Sequence, residues 1–124
     1  MELKTYKKQI IRGKIPSKSN CYKIITINGH SSLAKQKALK EYEKSFFLQC
    51  SIRGEMISDY FRLNLDVFYE NMRPDLDNSF KILLDSLQSC KAIKNDRYCV
   101  EIHARKLIDK ENPRIEFTIE EIEI

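Results

Sequence analysis

The sequence lacks the features that mark membrane, disordered or secreted proteins. Only three glycines and three prolines interrupt 124 residues, so most of the chain is expected to adopt regular structure. No apolar run approaches the roughly 20 residues that span a bilayer, and the first eight residues contain no apolar signal segment. We therefore expect one globular domain over residues 1–124, in the cytoplasm and away from membranes.

Pairs of cysteines at metal-ligand spacing are also missing. The four cysteines form no Cys-x-x-Cys pair, and neither histidine lies at ligand spacing from them, so a zinc site is not expected. Free, partly buried thiols in a reducing compartment are the interpretation that this pattern favours. The cysteines are Cys21, Cys50, Cys90 and Cys99.

Charge is distributed unevenly along the chain, whose net charge is +4. Residues 1–23 contain seven basic residues and one acid, whereas residues 111–124 contain five glutamates and one arginine. A basic arm of this kind suits contact with a polyanion, but a solvated lysine-rich surface explains the same pattern. Charge alone leaves both interpretations open.

Hydrophobic periodicity predicts the element order β-β-helix-β-helix-β-β. The clearest strand is 61–69, where apolar and polar residues alternate with a period of two. The predicted strands are 9–15, 22–27, 61–69, 100–105 and 115–119, and the predicted helices run from Ser31 or Ser32 to about Cys50 and from Asp75 or Asp77 to about Ser89.

This order of elements predicts the α+β class. We expect one mixed sheet of about four to five strands, packed by two main helices. The last two strands are joined by a short loop through residues 112–113, which predicts an antiparallel hairpin.

Carboxylates around residues 73–81 carry the strongest chemical signal. Asp75 and Asp77 precede a predicted helix, Lys81 lies one turn beyond Asp77, and Asp96 follows in a later loop. Clustered carboxylates repel one another unless a cation lies between them, and a divalent ion is the usual one. In a chain with surplus positive charge, this pattern predicts a metal-dependent reaction on a phosphodiester. The acids are expected to meet in one small pocket.

The backbone needed for such a pocket is also predictable. Two acids at this spacing converge only where the chain is extended, since a helix would separate them by roughly 200°. Proline at position 74 favours an extended chain before it. We therefore expect Asp75 at the end of an extended segment and Asp77 at or near the helix N-cap.

Residue chemistry alone leaves alternatives open. Aspartate and asparagine are favoured helix caps, so capping explains Asp75 and Asp77 without any metal. Lys81 is able to contact a phosphate, or to form an ordinary ion pair with Asp85. The sequence does not decide whether its loop brings Asp96 beside the helix start.

These segments together resemble the RusA-type Holliday junction resolvase family. That family is marked by Arg-x-Asp-Leu-Asp-Asn and a lysine four residues past the second Asp, and this chain has Arg-Pro-Asp-Leu-Asp-Asn at 73–78 followed by Lys81. Further similarities are Asp-Ser-Leu at 85–87, Asn-Asp at 95–96, the Pro-Ser-Lys-Ser-Asn loop at 16–20 and the closing strand at 114–119.

The resemblance implies a Mg²⁺-dependent homodimeric endodeoxyribonuclease, with Mn²⁺ as a substitute ion. Such an enzyme cuts four-way DNA junctions by paired symmetric nicks in recombination and repair, and small resolvases of this kind often travel with prophage DNA. The family's metal-binding catalytic carboxylates map onto Asp75, Asp77 and Asp96, and its important lysine maps onto Lys81.

Basic residues near these acids are expected to grip backbone phosphates without reading sequence. Two alternatives to the enzyme are a non-catalytic module that recognises junction shape and a small interaction protein whose acids only cap a helix. The expected DNA-binding residues are Lys14, Lys18, Asn20, Arg73, Lys91, Lys94 and Arg97.

Two positions depart from the family pattern. Asn95 replaces the first acid of the usual Asp-Asp pair, which is tolerable because only the second acid is the expected metal ligand. Arg97 and Tyr98 stand where the family has a small residue and glutamine. This second change puts two expectations in doubt. One is the hydrogen bond that the glutamine would make near the site, and the other is the junction preference.

Overall fold

Helices and strands alternate along the chain, as the α+β class requires. The computed structural model describes residues 2–124. Its elements are β1 (Gln9–Arg12), α1 (Lys18–Cys21), β2 (Tyr22–Ile27), β3 (His30–Lys35), α2 (Lys37–Gln49), β4 (Phe61–Tyr69), α3 (Asn78–Ser89), a 3₁₀ turn (Asp96–Tyr98), β5 (Cys99–Ile108) and β6 (Arg114–Glu121).

β4 is the central strand of the larger sheet, whose order is β1-β6-β4-β5. It pairs antiparallel with β6 and parallel with β5, and β1 pairs antiparallel with the far edge of β6. Five of the nine residues of β4 are buried in strict alternation, which confirms the predicted period of two. β2 and β3 form a separate two-stranded sheet.

The parallel pairing of β4 and β5 determines where the connecting loops lie. Parallel neighbours cannot be joined by a tight turn, and α3 makes the crossover between them. The register pairs Phe61 with Cys99 and Tyr69 with Ile108, so both strands begin at one end of the sheet and finish at the other. The loop after β4 therefore lies at the opposite end from the turn before β5.

One face of this sheet and the two longer helices enclose the core. α2 buries Leu39, Tyr42 and Phe46, and the rings of Phe46 and Phe117 stack at a centroid distance of 6.0 Å. α3 buries an apolar stripe that includes Leu83 and Leu87. Among residues 2–124, no helix has both the length and the apolar character needed to cross a membrane.

The first predicted strand is shorter than its apolar pattern indicated. β1 ends at Arg12, whereas the prediction extended it to Ile15. Gly13 has a φ of +117°, a conformation that side-chain-bearing residues rarely adopt and that breaks the ladder. Ile15 is nevertheless buried in the core from the following loop.

The predicted start of the first long helix was wrong. Residues 30–35 form β3, and α2 begins only at Lys37, so neither Ser31 nor Ser32 caps it. Asn28 and Gly29 have φ values of +50° and +79°, which are the two left-handed residues of a tight hairpin turn. This Asn-Gly turn folds the chain back onto β2. Pairing with β2 overrides the four-residue apolar spacing that predicts a helix through this segment, which is formed by Ala34, Ala38, Tyr42 and Phe46.

The prediction of a hairpin between the last two strands was also wrong. β4 lies between β5 and β6, so these consecutive strands are not hydrogen-bonded to each other. Their alternating patterns were interpreted correctly as strands, but a short connection does not oblige two strands to pair when a third can fill the space between them.

A substitution pair tests the core. Phe46→Ala is expected to lower the free energy of unfolding by about 3–5 kcal/mol, because it leaves a cavity against Phe117. Phe47 is the next residue and is 48% exposed, so Phe47→Ala should cost about 1 kcal/mol or less. Urea denaturation of both variants checks this, and equal losses would contradict the assignment of the buried helix face.

Candidate functional site

The loop after β4 presents two carboxylates to solvent. Asp75 is exposed, and Asp77 is the exposed N-cap residue of α3, as predicted. Asp77 has helical backbone angles (φ −68°, ψ −15°), and its side chain makes no capping hydrogen bond. The capping alternative therefore gives no role to the Asp77 carboxylate, which is left available for another ligand.

The backbone of this loop is held from two sides. Lys106 on β5 donates from Nζ to the carbonyl oxygens of Met72 and Pro74, at 3.2 and 2.9 Å. Tyr69 at the end of β4 donates from its hydroxyl to the carbonyl oxygen of Asp75 at 3.3 Å. Burial raises the pKa of Tyr69, which keeps the hydroxyl protonated as a donor. These bonds fix the main chain just before the two carboxylates.

Sequence reasoning missed Lys106, which looks like any surface lysine on a strand. Its position becomes meaningful only through the register, because Lys106 is the partner of Val67 near the end of β4. Tyr69 had a faint signal as the last residue of an alternating strand, but nothing in the sequence indicated the direction of its hydroxyl.

Asn78 attaches a second loop to the start of α3. Its side-chain oxygen accepts the Lys18 N–H at 2.7 Å, and its amide nitrogen donates to the Pro16 carbonyl at 3.4 Å. Ser17 caps the short helix α1, which contains Lys18 and Asn20. The predicted DNA-binding residues of this loop are thereby brought to the same end of α3 as Asp77.

A cleft of about 250 Å³ lies beside the same loop. Its walls include Lys14, Arg73 and Pro74, so two further basic residues of the predicted set line a cleft that reaches the residue before Asp75. Lys14 also approaches Glu70, with 3.6 Å between the ammonium nitrogen and the carboxylate. Both basic side chains belong to an exposed, partly neutralised surface around the carboxylates.

Lys81 pairs with Asp85 and stacks on an aromatic ring. Its Nζ lies 3.5 Å from Asp85 Oδ2 and 5.1 Å from the ring centroid of Tyr22. The Tyr22 hydroxyl donates to the same Asp85 oxygen. Burial, reinforced by this bond to a carboxylate, raises the pKa of Tyr22. The Lys81 ammonium group is therefore held by Asp85 and the Tyr22 ring, as in the ion pair that the sequence allows, and its side chain remains 39% exposed.

Asp96 opens the 3₁₀ turn before β5. Its backbone N–H donates to Gln88 Oε1 at 3.0 Å, which links the turn to the end of α3. Asn95 caps the turn, because its side-chain oxygen accepts the Arg97 N–H at 3.0 Å. A neutral asparagine at this position thus has a local structural role. Lys91, Lys94 and Arg97 are exposed around Asp96.

The structure does not bring the three acids together within one chain. Asp77 lies at the first turn of α3, whereas Asp96 contacts Gln88 at its last turn, about 15 Å further along the helix axis. Among residues 2–124 no group of three or more His, Cys, Asp or Glu side chains is placed to hold a metal ion. The expected single pocket is divided between the two ends of the β4–α3–β5 unit.

Comparison with known proteins identifies the family. The family model described as Endodeoxyribonuclease RusA matches residues 5–120. The chain belongs to the RusA endodeoxyribonuclease family. A search of curated proteins finds no match. Members of this family are Holliday junction-resolving endonucleases, and membership supports nuclease activity on DNA.

The support that Lys106 gives to the carboxylate loop is testable. Lys106→Met removes both hydrogen bonds of the ammonium group, so backbone amides at 71–78 should exchange hydrogen at least about tenfold faster, since hydrogen bonds from charged groups are worth about 1.5–3 kcal/mol. Hydrogen-exchange mass spectrometry measures this. Lys110→Met, in the exposed turn after β5, is the control, and unchanged exchange in Lys106→Met would show that the loop is held by other contacts.

Proposed function

We propose that this protein is a divalent-metal-dependent endonuclease that resolves four-way DNA junctions by paired symmetric nicks in DNA recombination and repair. The observation that carries the proposal is the pair of exposed carboxylates, Asp75 and Asp77, on a braced loop at the start of α3. Family membership supplies the reaction class, and the basic residues around the loop suit a phosphodiester substrate.

The donors at this loop fit Mg²⁺ or Mn²⁺. Both are carboxylates, both are exposed, and Asp77 is free of any capping bond, which suits hard cations that take oxygen ligands and keep several waters. Asp75 and Asp77 would hold the ion together with Asp96. When bound, the ion supplies Lewis-acid polarisation of the scissile phosphate and a more acidic water.

Lys81 is proposed to stabilise negative charge on the phosphate. It lies one helical turn beyond Asp77 on the same face, and Tyr22 and Asp85 hold its ammonium group there. A preplaced ammonium group costs little reorganisation when charge develops during the reaction. Lys14, Lys18 and Arg73 would then grip the phosphates that flank the cut.

Asp96 must come from a second copy if it is a ligand to the same ion. β5 is the edge strand of the sheet, and its outer side is not paired with any strand among residues 2–124. If two copies paired antiparallel along β5, the start of one β5 would lie beside the end of the other. The register places the end of β5 level with the end of β4, so Asp96 of the second copy would approach Asp75 and Asp77.

The side chains along this edge suit such a dimer. None of the ten residues of β5 is buried, although five of nine are buried in β4. Phe80 and Leu84 on α3, and Ile102 and Ala104 on β5, are apolar and only partly covered. A second copy would complete their burial, and a twofold dimer holds two active sites at a fixed separation for symmetric nicking.

The first test removes a carboxylate. Asp77→Asn is expected to lower nicking of a synthetic four-way junction at least about 10²-fold, because a ligand and a charge near the reacting phosphate are lost. Junction binding, measured by gel shift, should persist. Glu2→Gln, an exposed acid elsewhere, is the charge control. Undiminished cleavage by Asp77→Asn would remove the carboxylate pair from the mechanism.

The same assay separates the enzyme from a non-catalytic module. If the wild-type protein binds the junction with a steep salt dependence but never nicks it with Mg²⁺ or Mn²⁺, the shape-binding alternative replaces the nuclease proposal.

The second test asks whether the site is shared between two copies. Asp77→Asn and Asp96→Asn are each expected to be inactive alone. In a mixed dimer, one site keeps Asp77 from one copy and Asp96 from the other, so co-refolded mixtures should regain nicking of one strand per junction. Denaturing gels of end-labelled junctions measure this result.

A matched mixture provides the control. Asp75→Asn mixed with Asp77→Asn damages both shared sites, so this mixture should stay inactive. If the Asp77→Asn and Asp96→Asn mixture also stays inactive although mixed dimers form, the acids do not complement each other across the dimer.

A further inference from the structure

The hairpin formed by β2 and β3 is an uncovered surface with an unusual composition. Its strands pair only with each other among residues 2–124, and most of their side chains are exposed. Ile24 and Leu33 face each other across the two strands and are 72% and 53% exposed. An isolated two-stranded hairpin with exposed apolar residues is marginally stable in water. This favours a binding role for the surface.

The charge of the chain is concentrated in the same region. Residues 18–44 contain six lysines and two glutamates, a net charge of +4 that equals that of the whole chain. The other residues contain 16 basic and 16 acidic side chains and are neutral as a set. Lys40 and Lys44 continue this positive surface from the hairpin along α2, where they line a shallow depression with Lys35. The charge of the hairpin region is therefore complementary to a polyanion.

The exposed pair also lies on the hairpin face that leads to the candidate active site. Side chains two residues apart on a strand share a face, so Ile24 is on the same face as Tyr22. Tyr22 contacts Asp85 and Lys81 on α3. Across the strands, Leu33 lies between Ser31 and Lys35 on that face. A DNA strand lying at Lys81 would therefore meet Ile24 and Leu33 as it leaves the site.

We propose that the β2–β3 hairpin contacts the branch point of the DNA junction and places Ile24 and Leu33 against the exposed face of a terminal base pair. The inference rests on the proposed nuclease function and names the part of the substrate that this second surface binds. Base pairs at a branch point lose a stacking neighbour, and apolar side chains inserted at such steps replace that contact. An intact duplex offers no comparable apolar face.

The flanking groups on the same face suit this position. The hydroxyl groups of Thr26 and Ser31 form the next cross-strand pair on this face towards the tip. Lys35 lies towards the base of the hairpin, where its ammonium nitrogen is 2.8 Å from the Glu43 carboxylate. Hydroxyl and ammonium groups bind phosphates without reading sequence. The apolar pair would then distinguish branched from linear DNA, while the surrounding lysines would contribute affinity for both.

The test compares two equally exposed apolar pairs. Ile24→Ser with Leu33→Ser is made in the non-cleaving Asp77→Asn protein, and Kd values are measured for a four-way junction and for a linear duplex of the same sequence. We expect the junction Kd to rise about tenfold, as for the loss of one base-stacking contact, with the duplex Kd nearly unchanged. A junction that carries 2-aminopurine at the branch point should change its fluorescence when it binds the protein with the unaltered hairpin. This change should be lost with the hairpin variant.

Phe47→Ser with Leu48→Ser is the matched control, because these α2 residues are 48% and 73% exposed. It should leave both Kd values and the fluorescence change unaltered. Circular dichroism confirms that each double variant is folded, and the single Leu33→Ser variant provides a milder change with the same expected direction.

Three results would overturn the proposal. The first is an unchanged junction Kd in the hairpin variant, and the second is an equal loss for junction and duplex. The third is a change from dimer to monomer in sedimentation, which would assign the apolar pair to a second copy of the chain. If Asp77→Asn protein with an intact hairpin binds no junction at all, the proposed nuclease function itself fails, and this outcome is distinct from the other three.

Discussion

The parallel pairing of β4 with β5 is the constraint on which the rest of the structure depends. It requires a crossover, which α3 provides, and it places the beginning and the end of that crossover at opposite ends of the sheet. The carboxylates that precede α3 and the aspartate that follows it are therefore separated in one chain. No rearrangement of a surface loop closes a gap that is built from a helix and two strands.

The pairing of β4 with β5 also gives a physical reason for the proposed dimer, because it leaves β5 at the edge of the sheet. An edge strand with an open hydrogen-bonding side is a liability unless something covers it, and β5 is such an edge, with partly covered apolar side chains beside it. Antiparallel pairing of two such edges would cover both and bring the separated acids together. Stability and catalysis would then have the same requirement, because the contact that completes the core also completes the site.

Rigid support of the carboxylate loop comes from two residues outside the family motif and from Asn78 within it. Lys106 and Tyr69 hold the main chain, and Asn78 attaches the loop that carries Lys18. Acidic side chains close together repel one another, so an unsupported loop would spread them apart. The bonds to the backbone leave the carboxylate oxygens themselves uncommitted, which suits the proposed binding of a cation and then of a phosphate.

Local patterns in the sequence determined most of the elements and the position of Asp77 at the start of α3. The alternation of 61–69, the extent of α3 and the N-cap position of Asp77 follow from neighbours along the chain, and the structure confirms them. The Asn-Gly turn is equally local, and it makes residues 30–35 a strand although their sequence pattern predicts the start of a helix. Only the tertiary structure decided that β4 separates β5 from β6, that Lys106 supports the Asp75 loop and that Asp96 lies far from Asp77. Those facts depend on which strands are neighbours, and strand order is determined by long-range packing that no short stretch of sequence contains.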